Sequence, residues 1–308
     1  MNGPELLARF TAALLPLVCA PALLGIINRT KAVFAGRVGA PLLQPYYDIF
    51  KLLRKGAVYS GTTTWVLRAG PVIGVATTLV ALACLPLAGL PAPLSFAGDF
   101  ILVAYLLGLG RFMTINAALD TGSAFCGMGA SREAQFGALA EPALLLALAG
   151  LAWLTGQWSL SGIYAALSYE TWSVAAPALG LITVTLLAVL LTENSRIPVD
   201  DPNTHLELTM IHEVMVLDHS GPDFALVEYG AALKLWLTGV LLTGVAVPAL
   251  TGNPWVNMLL ALAALFALAV AIGCIESMMA RLRLHKVPQF IAGAGALAAM
   301  ALLLALEH

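Results

Sequence analysis

Hydrophobic positions in this chain do not alternate or recur every third or fourth residue. They come in long unbroken runs separated by short polar stretches. A bilayer core of about 30 Å takes roughly 20 apolar residues of helix to cross. Eight runs meet that length: 6–27, 71–90, 100–119, 138–155, 172–191, 224–250, 256–275 and 288–306. They are rich in Ala and Leu and much longer than strands, which predicts helices, whose backbone polar groups are satisfied internally in lipid. The expected fold is an all-α integral membrane protein, a bundle of about eight transmembrane helices with long cytoplasmic loops, forming one membrane domain over 1–308.

The polar stretches are unequal. Those near 91–99, 156–171 and 251–254 are short, whereas 28–70 and 192–221 are long, and long ordered loops usually carry function. In the first long loop, Leu42, Leu43, Tyr46, Tyr47, Ile49, Phe50, Leu52 and Leu53 interleave with Gln44, Asp48, Lys51, Arg54 and Lys55. Pro41 and Gly56 bound this segment, as expected of a short amphipathic helix lying in the membrane interface. Its polar side, Gln44, Asp48, Lys51 and Arg54, with Arg281 and Arg283 of the last loop, is expected to dock a peripheral partner.

Composition strengthens the membrane reading. The chain is 60% hydrophobic and 10% charged, with a mean hydropathy of +0.90, where soluble domains carry about 25% charged residues. A net charge of −2 gives no support to nucleic-acid binding. Twelve of the fifteen Lys and Arg fall in the loops after the first, third, fifth and seventh spans. The positive-inside rule then puts those loops in the cytoplasm and both termini outside. The first run has no basic leader and is followed by Asn28-Arg29-Thr30, so it is expected to stay as the first span. The four cysteines form no CxxC pair, so no disulfide frame, zinc site or iron–sulfur site is expected in this chain. Glycine pairs such as Gly127, Gly129 and Gly293, Gly295 follow no strand; close helix packing explains them better than phosphate binding.

Ionisable residues inside spans are costly and usually functional. Arg111 and Lys234 fall near the middles of the third and sixth spans, and Asp120, Glu141, Glu193, Glu228 and Glu276 near the ends of separate ones. Together they suggest a polar funnel. Burial disfavours the charged form of each group, so water-linked carboxylates and a lysine can pass protons along a bundle. Lys234 is the better relay, and Arg111, effectively always charged, tunes its neighbours. The loop 192–221 is denser still, with Glu193, Arg196, Asp200, Asp201, His205, Glu207, His212, Glu213 and His219. Thr204 and Glu207 stand at capping-box spacing for a helix beginning near His205. His212-Glu213 is not followed by a histidine at 216, so no HExxH zinc site is present. A proton-handling or structural polar network explains this loop better than a metal.

The segment ENSRIPVDDPNTHLELTMIHEVMVLDHSGPDFALVEY, from Glu193 to Tyr229, resembles the subunit 1 family of respiratory complex I. It is most similar to the branch found in membrane-bound nickel–iron hydrogenases, such as formate hydrogenlyase and related hydrogenase complexes. Leu42-Leu43-Gln44-Pro45, Asp48, Lys51 and Leu52-Leu53 resemble that family's LLQP-x-x-D-x-x-KLL signature. The glycine- and proline-rich stretch that precedes it in quinone enzymes is shortened here to Gly36-Arg37-Val38-Gly39-Ala40-Pro41. Val199 to Glu207 follows the hydrogenase form rather than the quinone form, which counts against quinone binding. The resemblance implies a membrane anchor and ion-coupling subunit of an oxidoreductase complex, with no catalytic centre of its own. Its partners would be an iron–sulfur small subunit, a hydrogenase-like large subunit carrying the nickel–iron centre, and antiporter-like membrane subunits. By motif position Glu193, Arg196, Asp200, Asp201, Glu207 and Glu213 would line the junction cavity, and Glu141 and Glu228 would begin a proton path. A quinone-binding respiratory subunit, a purely structural anchor and a stand-alone ion transporter are the alternatives, and the coupling ion, proton or sodium, stays open.

Overall fold

Each apolar run needs a partner surface for the few polar groups it carries, and the helices pack accordingly. The structure is a computed structural model that describes residues 3–201, 210–248 and 251–307, with side chains from residue 7. Among the described residues eight helices are long and apolar enough to cross a membrane. They are α1 (Gly3–Phe34), α3 (Trp65–Ala83), α4 (Asp99–Asp120), α5 (Ala124–Thr155), α7 (Tyr169–Glu193), α9 (Gly221–Ala246), α10 (Pro254–Met278) and α11 (Val287–Leu306). Shorter α-helices described between them are α2 (Gln44–Leu53), α6 (Leu160–Ala166) and α8 (His212–Val216).

In the bundle α5 packs against α4, α7 and α11, while α9 packs against α1, α3 and α7. One large apolar cluster joins these helices through residues such as Leu148, Leu179, Ile182 and Trp236, all essentially inaccessible. Lipid-facing positions stay apolar too. Leu7, Phe10, Leu14 and Val18 form an exposed stripe along α1, as a bilayer-facing helix requires.

Several ends differ from those expected of hydropathy alone. Helix α1 continues through Asn28-Arg29-Thr30 to Phe34, and α5 begins fourteen residues before 138, at Ala124. Both extensions carry charges that the apolar runs exclude, and both find partners: Lys31 pairs with Glu276, and Glu133 with Arg111. Helix α3 stops at Ala83 rather than near 90, because Pro86 and Pro91 lie just beyond. The segment Leu160–Ala166, expected as a plain loop, is a helix whose first N–H, at Leu160, donates to Asp99 at 2.7 Å. The amphipathic segment is helical over Gln44–Leu53, with none of its residues buried. The expected helix beginning near His205 lies outside the described residues.

Candidate functional site

Arg111 enters the bundle from the middle of α4, where an unpaired guanidinium would be costly to bury. Three carboxylates meet it. Its Nη1 donates to Glu141 at 2.8 Å, its Nη2 to Glu193, and its Nε faces Glu133 at 3.7 Å. Lys234 of α9 approaches the second oxygen of Glu193 at 3.9 Å. Four helices therefore meet on one ion cluster. Three carboxylates against two cations leave a surplus carboxylate, so the cluster can gain and lose a proton without exposing a bare cation.

Two glycines make room for it. A Cβ at Gly108 would stand 2.7 Å from Glu141 Oε1, and one at Gly137 would overlap the Arg111 guanidinium. Glu141 is the most accessible acid of the cluster, with about a third of its side chain exposed, whereas Glu193 is buried.

Beside the cluster lies a cavity of about 720 Å³, counting the space at its open mouth. Its polar lining includes Arg111, Glu133, Lys234, His212, His219 and Thr114. Both histidines are biased to the neutral form. Burial, with the Lys234 ammonium second, pushes His212 down to about 4. Burial also lowers His219, against the opposing pull of Asp223 and Asp218. A neutral imidazole can accept a proton on one nitrogen and donate from the other, which suits a relay.

Asp200 holds the segment that delivers His212. Its Oδ2 accepts the backbone N–H groups of Ile211 at 3.1 Å and His212 at 3.3 Å, its Oδ1 accepts that of Asp201 at 2.9 Å, and Arg281 pairs with Oδ1 at 2.9 Å. Burial pushes the Asp200 carboxyl upward, while Arg281 and these backbone donors oppose the rise. Gly129 of α5 lets the same segment come close, since a Cβ there would stand 2.8 Å from Ile211 O.

The residues expected to form one funnel fall into three places. Arg111, Glu141, Glu193 and Lys234 meet, as above. Arg196 is buried against Glu276 at 3.4 Å, Glu276 also binds Lys31 at 2.7 Å, and Glu228 lies within electrostatic reach of Arg196 and Asp48. Asp120 belongs to neither group. It caps α3, accepting the N–H groups of Thr64 at 2.7 Å and Leu67 at 3.2 Å and the Thr64 hydroxyl at 2.8 Å. Asp201 and Glu213 sit partly buried beside the Asp200 clamp, and Glu207 lies outside the described residues. Of the residues expected to dock a partner, Lys51, Arg54 and Arg283 are exposed, and Gln44 donates to Asp48 at 2.9 Å on the same exposed surface. Arg281 is instead turned inward onto Asp200. Among the described residues no group of three or more His, Cys, Asp or Glu is placed to hold a metal ion.

Sequence reasoning missed Glu133, whose position outside an apolar run read as loop. Its spacing carried the signal: Glu133, Gly137 and Glu141 recur every four residues, one face of a helix.

A family model described as NADH dehydrogenase matches residues 8–306. Formate hydrogenlyase subunit 4 of Escherichia coli (strain K12) is 33% identical over 283 residues, 90% of this chain and 91% of that protein. Hydrogenase-4 component C of the same organism is 31% identical over 247 residues, 80% of this chain and 77% of that protein. A chain of the membrane-bound sulfane sulfur reductase, an archaeal respiratory membrane complex, superposes with a TM-score of 0.82 at 21% identity. That match covers 96% of this chain and 99% of the other, and it shows the shared fold.

Proposed function

Because this chain belongs to the NADH dehydrogenase family, we propose that it is the membrane anchor of a multi-subunit redox complex, linking electron transfer in a peripheral arm to proton translocation. The observation that carries the coupling role is the buried cluster of Arg111, Glu133, Glu141, Glu193 and Lys234 beside an open cavity. A purely structural anchor has no use for charges that cost so much to bury. The similarity to formate hydrogenlyase subunit 4 and hydrogenase-4 component C favours a hydrogenase-type arm. On this reading the nickel–iron and iron–sulfur centres belong to a large and a small partner subunit, and antiporter-like subunits lie alongside in the membrane. The arm sits on the cytoplasmic face of the inner membrane, over Lys51, Arg54 and Arg283, with both chain termini outside.

This chain's part is to receive and pass protons. His212 and His219, neutral at pH 7, face the cavity and can take protons from water there. Lys234 stands next, against Glu193, and the Arg111 guanidinium ties Glu193 to Glu141. Glu141, the most accessible of these acids, is where a proton leaves toward a lateral partner. Asp200 ties the Arg281 loop to the backbone that carries His212, so a shift of the docked arm can reach the cavity.

The test is Glu193→Gln and Glu141→Gln in the intact complex, with hydrogen turnover and proton release measured together. Assembly should survive while proton release per turnover falls at least tenfold. Full coupled activity in both variants sinks the proposal. Nickel and iron analysis of the purified complex checks the arm: iron without nickel, together with quinone reductase activity, would move the chain to the quinone-reducing alternative.

A further inference from the structure

His219 lines the cavity where α3 and α9 begin, beside Gly70, Pro71 and Leu226. Only 8% of it is accessible, and its Nδ1 is buried with no hydrogen-bond partner among the described residues. Asp223, in the first turn of α9, has an oxygen in the same condition, Oδ2. The two groups feel each other: burial keeps the imidazole neutral, and Asp223, ahead of Asp218, pulls it the other way. Buried polar atoms are nearly always paired. Two left open on a neighbouring acid and base suit proton exchange better than packing. An acid in a first helical turn is ordinarily kept for the helix dipole, a role that asks for no unpaired histidine nitrogen beside it.

Asp223 is also joined to the surface. Tyr59, in the connector between α2 and α3, hydrogen-bonds to it, and that bond holds the Tyr59 hydroxyl above its ordinary value, so it stays a donor. Tyr59 is half-buried, and the exposed Arg68 guanidinium lies 4.0 Å from its ring centre. The connector is fastened at this point. The Val58 N–H donates to the Ser220 hydroxyl at 2.9 Å, and that hydroxyl donates to the Val58 carbonyl at 3.1 Å. Gly221 has a φ of +55°, and a Cβ there would stand 2.7 Å from Gly56 O, so only glycine lets the connector lie so close to α9. The groups thus run from exposed to buried: Arg68 and Tyr59, then Asp223, then His219 and the cavity. Asp218, whose carboxylate receives the Cys126 thiol of α5 at 3.5 Å, precedes His219. Arg111, Glu133, His212 and Lys234 stand around the same cavity, so His219 is where the surface chain meets the inner charges.

We propose that Asp223 and His219 form the proton entrance of the cavity, with Tyr59 and the Ser220–Val58 clasp as positioning groups. This deepens the proton-coupling role and rests on it, naming how protons reach the water from which His212 and Lys234 draw. The Asp223 carboxylate takes a proton from surface water on Oδ2. The His219 imidazole accepts that proton and releases one to cavity water, and both groups end in the charge state they began in.

The experiment follows turnover and proton release by the intact complex across pH. Asp223→Asn keeps the shape and removes the proton carrier. It should lose roughly tenfold or more at alkaline pH, where protons are scarce, and much less in acid. Asp223→Glu should recover most of the loss, and imidazole added to the medium should restore Asp223→Asn while leaving the parent unchanged. Parental turnover in Asp223→Asn overturns the entrance. So does a loss that is equal at every pH and untouched by imidazole, the result for an acid that serves the helix end alone. Should Asp223→Asn fail to assemble, His219→Gln decides by the same two readouts, pH dependence and rescue by imidazole. Glu193→Gln and Glu141→Gln separate this proposal from the one beneath it. Lost coupling in them with parental Asp223→Asn removes the entrance only, whereas full coupled activity in both removes the proton path itself.

Discussion

A Cβ added at Gly137 would overlap Arg111 Nη1 and stand 2.6 Å from Cζ. The guanidinium cannot swing away cheaply, because three carboxylates hold it. Gly137→Ala is therefore expected to displace Arg111 and lower coupled turnover at least tenfold, with an overpacking cost of about 1–3 kcal/mol. Measuring turnover beside thermal stability separates the two effects; an unaltered variant would mean that Arg111 has room the structure does not show. At His212 the sign of a pH effect can be worked out. Its folded-state value, about 4, lies below the ordinary 6.5, so folding favours the neutral ring. The stability this contributes is present above pH 6.5 and is lost as pH falls toward 4. Thermal midpoints measured across that window should fall more steeply for the parent than for His212→Gln. Parallel curves would show that the ring is not held neutral. Arg111, Glu193 and Lys234 were legible as a group because a charge in an apolar run stands out. Glu133 and the His212 environment were not, since nothing in the linear order says which acid of a neighbouring helix a guanidinium will face.

Helix α1 is interrupted by Pro21, whose ring nitrogen cannot donate and so leaves the Leu17 carbonyl without its intrahelical partner. The Tyr229 hydroxyl of α9 donates to that carbonyl at 2.9 Å, and the Tyr46 hydroxyl of α2 donates to the neighbouring carbonyl of Val18. A helix defect is thus turned into the joint that ties α1 to α9 and to the interfacial helix. Tyr229→Phe should cost about 1 kcal/mol, and more if the carbonyl finds no water. Pro21→Ala in that background restores the backbone donor and should recover part of the loss. Additive destabilisation by the two changes would show that the carbonyl was never dependent on Tyr229. The existence and number of the long helices could be read from hydropathy alone. Their ends could not, because α1 and α5 continue past the apolar runs on ion pairs with α10 and α4 that only the folded bundle supplies. The short α6 depends in the same way on the distant Asp99 carboxylate.

At the scale of the molecule, the proposed topology, with both termini outside, rests on the eight candidate spans among the described residues and the one-sided distribution of Lys and Arg. Alkaline phosphatase fused after residue 307 should be active, because that enzyme needs the oxidising exterior, and a fusion in the 56–64 connector should be inactive. The reverse pattern would invert the topology and put the proposed arm on the wrong side.

The Arg111 knot also bears on how the chain is made. Its acids are translated after it: Glu141 follows by 30 residues and Glu193 by 82. At roughly 5–20 residues per second, Glu193 emerges about 4–16 s later. An arginine at the centre of a lone helix costs about 2.5–3.5 kcal/mol to insert. Left to itself α4 is thus a poor candidate for release into lipid. With only 121–123 between them, α4 and α5 can instead leave the ribosome's insertion channel as one hairpin, with Glu133 and Glu141 already on the guanidinium and α7 closing the knot afterwards. The order of residues along the chain thus sets the order in which the membrane accepts its helices.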